Sequence, residues 1–110
     1  MFLKKGTLIF TDVVENEIQR ELAFVLFENY PNPFNPKTAI GFSLLAVGNV
    51  SLKVFDVLGS EVATLLNNET LEAGEHNIQF DASLFSSGIY FYRLNVDGKF
   101  SETKKMMLLK

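Results

Sequence analysis

Three prolines, the only ones in the chain, fall within seven residues: Tyr30-Pro31-Asn32-Pro33-Phe34-Asn35-Pro36. A proline fixes its own φ near −65°, removes a backbone donor and pushes the preceding residue out of the helical region. Residues 30–36 therefore read as a stiff extended lead-in. Helix is excluded there, and a central strand nearly so, because a sheet ladder needs the missing N–H groups. The chain after this segment is patterned differently from the chain before it.

Downstream, apolar and polar residues alternate. Residues 38–44 put Ile40, Phe42 and Leu44 on one face and Gly41 and Ser43 on the other, the period of a half-buried strand. Val47-Gly48-Asn49 reads as a turn, followed by a strand at 50–57 with Leu52 and Val54 inward. Asp56-Val57-Leu58-Gly59 closes that strand, and 61–66 makes a third; a hairpin and a corner between sheets fit equally well here. Residues 67–74 (NNETLEAG) read as the most polar loop. Residues 75–81 place His76, Ile78 and Phe80 on one face, and Leu84 and Phe85 in the next connection are candidates to plug the end of a core. Residues 89–96 form the strongest strand, with Tyr90, Tyr92, Leu94 and Val96 on one side. Asp97-Gly98 between two strand-like runs is the clearest hairpin signal, because a type I′ turn needs positive φ at both central positions. It joins 89–96 to a last strand over 99–109, which begins polar and ends in the apolar run 106–109, expected to be buried or held against a partner.

This makes six strands after the prolines, and seven if residues 7–14 (TLIFTDVV) add one. The fold class is all-β, an antiparallel sandwich. Residues 1–23 read as a tail, with a strand-like stretch at 7–14 and a charged linker or helical turn at 15–21, and residues 24–110 as the domain. Lys4 and Lys5 resemble the start of an export signal, but the apolar stretch 7–10 is too short for one. With 110 residues, 47% of them hydrophobic and eleven of them Phe, one core is available and most aromatics are needed to fill it.

Several function classes are disfavoured. The net charge is −3 with signs interspersed, which gives no basic field for nucleic acid. Cysteine is absent, so disulfides and thiolate metal sites are excluded. The single histidine, His76, has no nucleophile and orienting acid in a recognisable pattern and reads as an edge-of-core residue. The carboxylate pairs Glu15/Glu17 and Glu69/Glu72 sit in polar stretches, where nothing would separate their pKa values. Asp56, Asp81 and Asp97 adjoin turns and read as caps of the local backbone. Calcium-loop spacing and phosphate-binding glycine motifs are both missing, so neither cofactor nor metal is expected. Tyr90 and Tyr92 share a face and read as core packing rather than a stacking platform.

The run 29–40 (NYPNPFNPKTAI) resembles the opening of the type A C-terminal sorting domain of the bacterial type IX secretion system. Matching stretches follow in order at 50–59 (VSLKVFDVLG), 61–65 (EVATL), 73–82 (AGEHNIQFDA), 87–94 (SGIYFYRL) and 104–110 (KKMMLLK). The resemblance implies an immunoglobulin-like sandwich and a non-enzymatic secretion signal. The implied partners are a cargo N-terminal to this chain, the type IX outer-membrane machinery and its signal-cleaving protease. The implied route leads through the periplasm of a Gram-negative bacterium to the cell surface or the medium. It further implies that recognition lies in Lys104, Lys105, Met106, Leu108 and Lys110, helped by Asp97-Gly98 and by Pro33, Phe34 and Asn35. Phe80, Gly88, Tyr90, Tyr92 and Arg93 match positions that hold the fold. The alternative from the residues alone is an uncleaved binding module for protein or glycan at the cell surface, using a loop such as 67–74. An exposed edge strand would also allow homodimers by sheet extension.

Overall fold

The computed structural model describes residues 23–110. The expected strand at 7–14, the linker at 15–21 and the Glu15/Glu17 pair lie outside the described residues. Seven strands follow in chain order: β1 Phe24–Leu26, β2 Lys37–Leu44, β3 Gly48–Phe55, β4 Glu61–Leu71, β5 Gly74–Asp81, β6 Gly88–Val96 and β7 Phe100–Leu108. They form two antiparallel sheets, β1-β2-β5 and β4-β3-β6-β7. The chain crosses between sheets after β2, β4 and β5, while β3–β4 and β6–β7 are hairpins within the second sheet. This is the antiparallel sandwich expected from the alternation, in the immunoglobulin-like form that the resemblance implies, with the fourth strand on the edge beside the third.

The period of two carries through to burial. Ile40, Phe42 and Leu44 from one sheet face Val50, Leu52, Val54, Tyr92, Leu94 and Val96 from the other, all buried. One end of this core is closed by an aromatic row in which Phe34, Phe80, Phe85 and Tyr90 follow one another at ring separations of 6.1, 5.7 and 5.9 Å. Tyr90 also donates its hydroxyl to the Ser86 carbonyl, four residues upstream, at 2.7 Å. That is a tyrosine corner, which fixes how the sheet-crossing connection enters β6.

Asp97 and Gly98 adopt φ of 57° and 66°, and the Lys99 N–H closes the turn on the Val96 carbonyl at 3.1 Å. The ladder then resumes with Val96 opposite Phe100, so the connection is one residue longer than a two-residue hairpin.

Four expectations from the sequence need correction. Gly48 and Asn49 are not a turn but the start of β3; the sheet crossing is made by residues 45–47. β4 does not stop at residue 66 but runs to Leu71, so most of the polar stretch 67–74 is strand. An edge strand solvated on one side tolerates Asn, Glu and Thr that would read as loop elsewhere. Leu84 does not plug the core; it is 94% exposed, and Phe85 alone packs inward. The run 106–109 is buried only at Met106 and Leu108, while Met107 and Leu109 point out.

Tyr92 lies at the centre of the interior and donates its hydroxyl to the Phe27 carbonyl at 2.8 Å. Burial pushes this phenol up to about 12 from the usual 10. Its contribution to stability is thus complete below about pH 10, where the unfolded chain also keeps the proton, and is lost as pH rises from about 10 to about 12. Tyr92→Phe removes one buried hydrogen bond and should cost about 1 kcal/mol at neutral pH. An alkaline denaturation series should show the wild-type midpoint falling more steeply than the variant's above about pH 10.

Candidate recognition surface

A proline-rich segment must find partners for its carbonyls without offering many N–H groups. Here side chains supply the donors. Asn29 Nδ2 donates to the Pro31 carbonyl at 3.2 Å and to Thr38 Oγ1 at 3.0 Å, and the Thr38 hydroxyl donates to the same Pro31 carbonyl at 2.9 Å. Asn29 and Thr38 are both 2% exposed, the only buried polar side chains among the described residues. This cluster ties the start of the segment to β2, where Tyr30 bridges Ala39.

The other end of the segment is held by β7. Phe34 makes a parallel bridge to Leu108: its N–H donates to the Met107 carbonyl and the Leu109 N–H donates to its carbonyl, each at 2.9 Å. Asn32 Oδ1 accepts the Met107 N–H at 3.0 Å. The outward backbone groups of β7 at Met107 and Leu109 are thereby taken up by residues 32–34. By the alternation of antiparallel pairing, the same edge stays open at Ser101, Thr103 and Lys105.

Side chains on β7 divide by face. Met106 and Leu108 are core residues, 1% and 0% exposed. Lys104 shares their inward face at the mouth of the sandwich and reaches Glu28, beyond β1, at 3.4 Å and Glu102 at 3.8 Å. A charge turned inward on an edge strand discourages the addition of another strand. Lys105 and Met107 lie on the outer face, where they line a depression of about 220 Å³ with Asn32, Pro33 and Ile89. Lys110 is exposed, its N–H bound to Ser87 Oγ at 2.9 Å and its ammonium to the Ser83 carbonyl at 2.5 Å.

The recognition residues implied by the sequence therefore separate. Pro33 and Lys105 share one ledge, completed by Asn32 and Met107, which the sequence did not single out, with Lys110 on the same end of the sandwich. Phe34 is 2% exposed and belongs to the core, while Asn35 is exposed beside it. Asp97 and Gly98 lie at the far end of β7, on the order of 25 Å away at about 3.3 Å per residue. Asp97 there caps the neighbouring strand rather than its own turn, accepting the Asn49 N–H at 2.9 Å. Asp56 and Asp81 do cap locally, Asp56 accepting from Leu58 and Ser60 and Asp81 from Ser83.

Of the residues implied to hold the fold, Phe80, Tyr90 and Tyr92 are buried, and Gly88 opens β6 at φ 151°, a region where glycine is at ease. Arg93 is exposed on the outer face, its guanidinium 4.8 Å above the Phe55 ring and its Nε donating to Thr103 Oγ1 at 3.2 Å. His76 stacks on Phe42 at 5.3 Å and bonds the Glu72 carbonyl through Nε2 at 2.8 Å. Sequence reasoning missed Glu28, Asn29, Asn32 and Thr38. The one available signal was the shortage of backbone donors around three prolines, which calls for side-chain amides and hydroxyls nearby. Among the described residues no three His, Cys, Asp or Glu side chains converge as a metal site, and no helix is long and apolar enough to cross a membrane.

Comparison with solved structures shows the fold in other settings. Dimeric latent PorU from Porphyromonas gingivalis superposes with a TM-score of 0.61 at 19% identity, over 78% of this chain and 9% of that one. The alkylpurine DNA glycosylase AlkC from Pseudomonas fluorescens superposes with a TM-score of 0.51 at 14% identity, over 82% of this chain and 31% of that one. The sandwich thus corresponds to a small part of each of these larger chains. A search of curated proteins gave no match. The family described as the secretion system C-terminal sorting domain matches residues 28–109. Taken with the six motifs that run in its order from the prolines to β7, that match places the chain in the type IX C-terminal sorting domain family.

Proposed function

We propose that this sandwich is a folded, non-catalytic secretion signal. It directs a cargo attached before residue 24 across the outer membrane through the type IX machinery, after which a surface protease removes it or the cargo is anchored. The observation that carries this reading is the family match over residues 28–109. The ledge of Asn32, Pro33, Lys105 and Met107 supports it, because there two of the family-matching segments, 29–40 and 104–110, meet and leave side chains free for a partner. On this reading residues 1–23 are the end of a cargo or its linker, and the destination is the cell surface or the medium.

The test separates recognition from folding. Residues 24–110 are fused behind a periplasm-targeted fluorescent protein in a bacterium with the type IX system. Lys105→Glu combined with Met107→Gln changes only outward side chains, so the variant should keep its fold, checked by thermal melting of the purified chain. Export of the parent fusion to the surface or medium, with periplasmic retention of the folded variant, is the expected result. A parent fusion that stays periplasmic while folded overturns the signal reading; a variant exported as well as the parent removes the ledge from it.

A further inference from the structure

The outer face of the second sheet carries a depression of about 500 Å³ lined mostly by polar side chains. Its floor is the two interior strands β3 and β6, through Ser51, Lys53, Phe55, Arg93 and Asn95. One wall is made by an irregularity in β4. Between the pairs Val50↔Glu69 and Leu52↔Leu66, β3 has one residue, Ser51, and β4 has two, Asn67 and Asn68. This bulge holds Asn68 at φ 52°, and its N–H donates to Ser51 Oγ at 3.0 Å. Bulges of this kind redirect side chains, and here both amides border the depression.

Two cations stand in the floor in different states. Lys53 is engaged by Glu61 at 3.5 Å. Arg93 has no carboxylate partner among the described residues, and only its Nε is used, on Thr103. Its terminal amines, a planar pair suited to bidentate recognition of a carboxylate, are unspent. The Phe55 ring lies beneath the guanidinium, 4.8 Å away, and attracts it as a cation over an aromatic face.

From this set we infer a binding site for an acidic oligosaccharide, with Arg93 taking a sugar carboxylate and Asn67, Asn68 and Asn95 taking ring hydroxyls. Asn67 and Asn95 each offer a donor and an acceptor, and Asn68, whose Oδ1 accepts the Ser51 hydroxyl at 3.4 Å, offers its amide N–H groups, the set that vicinal hydroxyls require. A peptide fits less well. β3 and β6 are each paired on both sides, so no backbone edge is free in the floor, and the mostly polar lining gives no apolar slot for a helix or a proline-rich strand. The site is independent of the export function; it meets the Pro33–Met107 ledge only at the Phe55–Phe91–Lys105 row, and its other floor residues lie on rows beyond that one.

The test is a heteronuclear NMR titration of the full 110-residue chain with trigalacturonic acid, with maltotriose and tri-aspartate in parallel. Expected are shifts at Ser51, Asn68, Arg93 and Asn95, including the Arg93 side-chain signals, with trigalacturonic acid and none of comparable size with either control. Arg93→Gln, and Asn68→Gly, which keeps the left-handed backbone while deleting the amide, should each weaken binding by about tenfold or more. No shift with trigalacturonic acid overturns the inference. So do equal shifts with tri-aspartate, which would make the site a general carboxylate sink, and binding indifferent to both substitutions.

Discussion

Phe34→Ala should be among the most damaging single substitutions at the described residues, costing about 3–5 kcal/mol. The ring is 2% exposed and starts the aromatic row that closes one end of the core, 6.1 Å from Phe80. Its backbone bonds to Met107 and Leu109 survive the substitution, so the loss is that of packing and of the cavity left behind. For a domain of this size total stability is about 5–15 kcal/mol, and each kcal/mol moves the melting temperature by about 4–8 °C. Denaturant unfolding of the wild type, Phe34→Ala and the milder Phe34→Leu checks the expectation. A loss for Phe34→Ala no larger than that of a surface substitution would mean that the ring is not part of the core.

Ending the chain at Thr103 should abolish folding altogether. The deletion removes Met106 and Leu108, each buried to within 1%, and each worth about 2–5 kcal/mol even when only trimmed to alanine. It also strips the partners from Asn32 and Phe34. Near-UV circular dichroism and a missing cooperative melt report the outcome; a truncated chain that still melts cooperatively would contradict the place of β7 in the core. A failure of such a truncation to be exported thus says nothing of recognition, which is why the Lys105 and Met107 substitutions are the informative ones.

Much of the sandwich was legible in the sequence because one physical rule, alternation over a half-buried sheet, governs β2, β3, β5 and β6. The Asp97-Gly98 turn was legible because few residues adopt positive φ twice in a row. β4 was not, since its second half is an edge with a bulge, where polar residues carry no periodic signal. The recognition surface was legible as segments and not as geometry. That Phe34 would be core while Pro33 lines a surface follows from the bridge to Leu108, a contact that local sequence does not encode. Lys104 was open to misreading for the same reason. The position of Glu28 across the mouth of the sandwich, with Glu102 on its own strand, makes it an inward ion pair rather than a free cation.

The bridge between Phe34 and Leu108 spans 108 − 34 = 74 residues of sequence. Contacts so distant are made late, after the loop between them has been closed at an entropic cost. The first strands cannot complete their core until β7 arrives, and a chain emerging from synthesis or from a translocation pore delivers β7 after all the others. The last strand is therefore a condition of the whole: without it the proline segment has nothing to close against and the core lacks one wall.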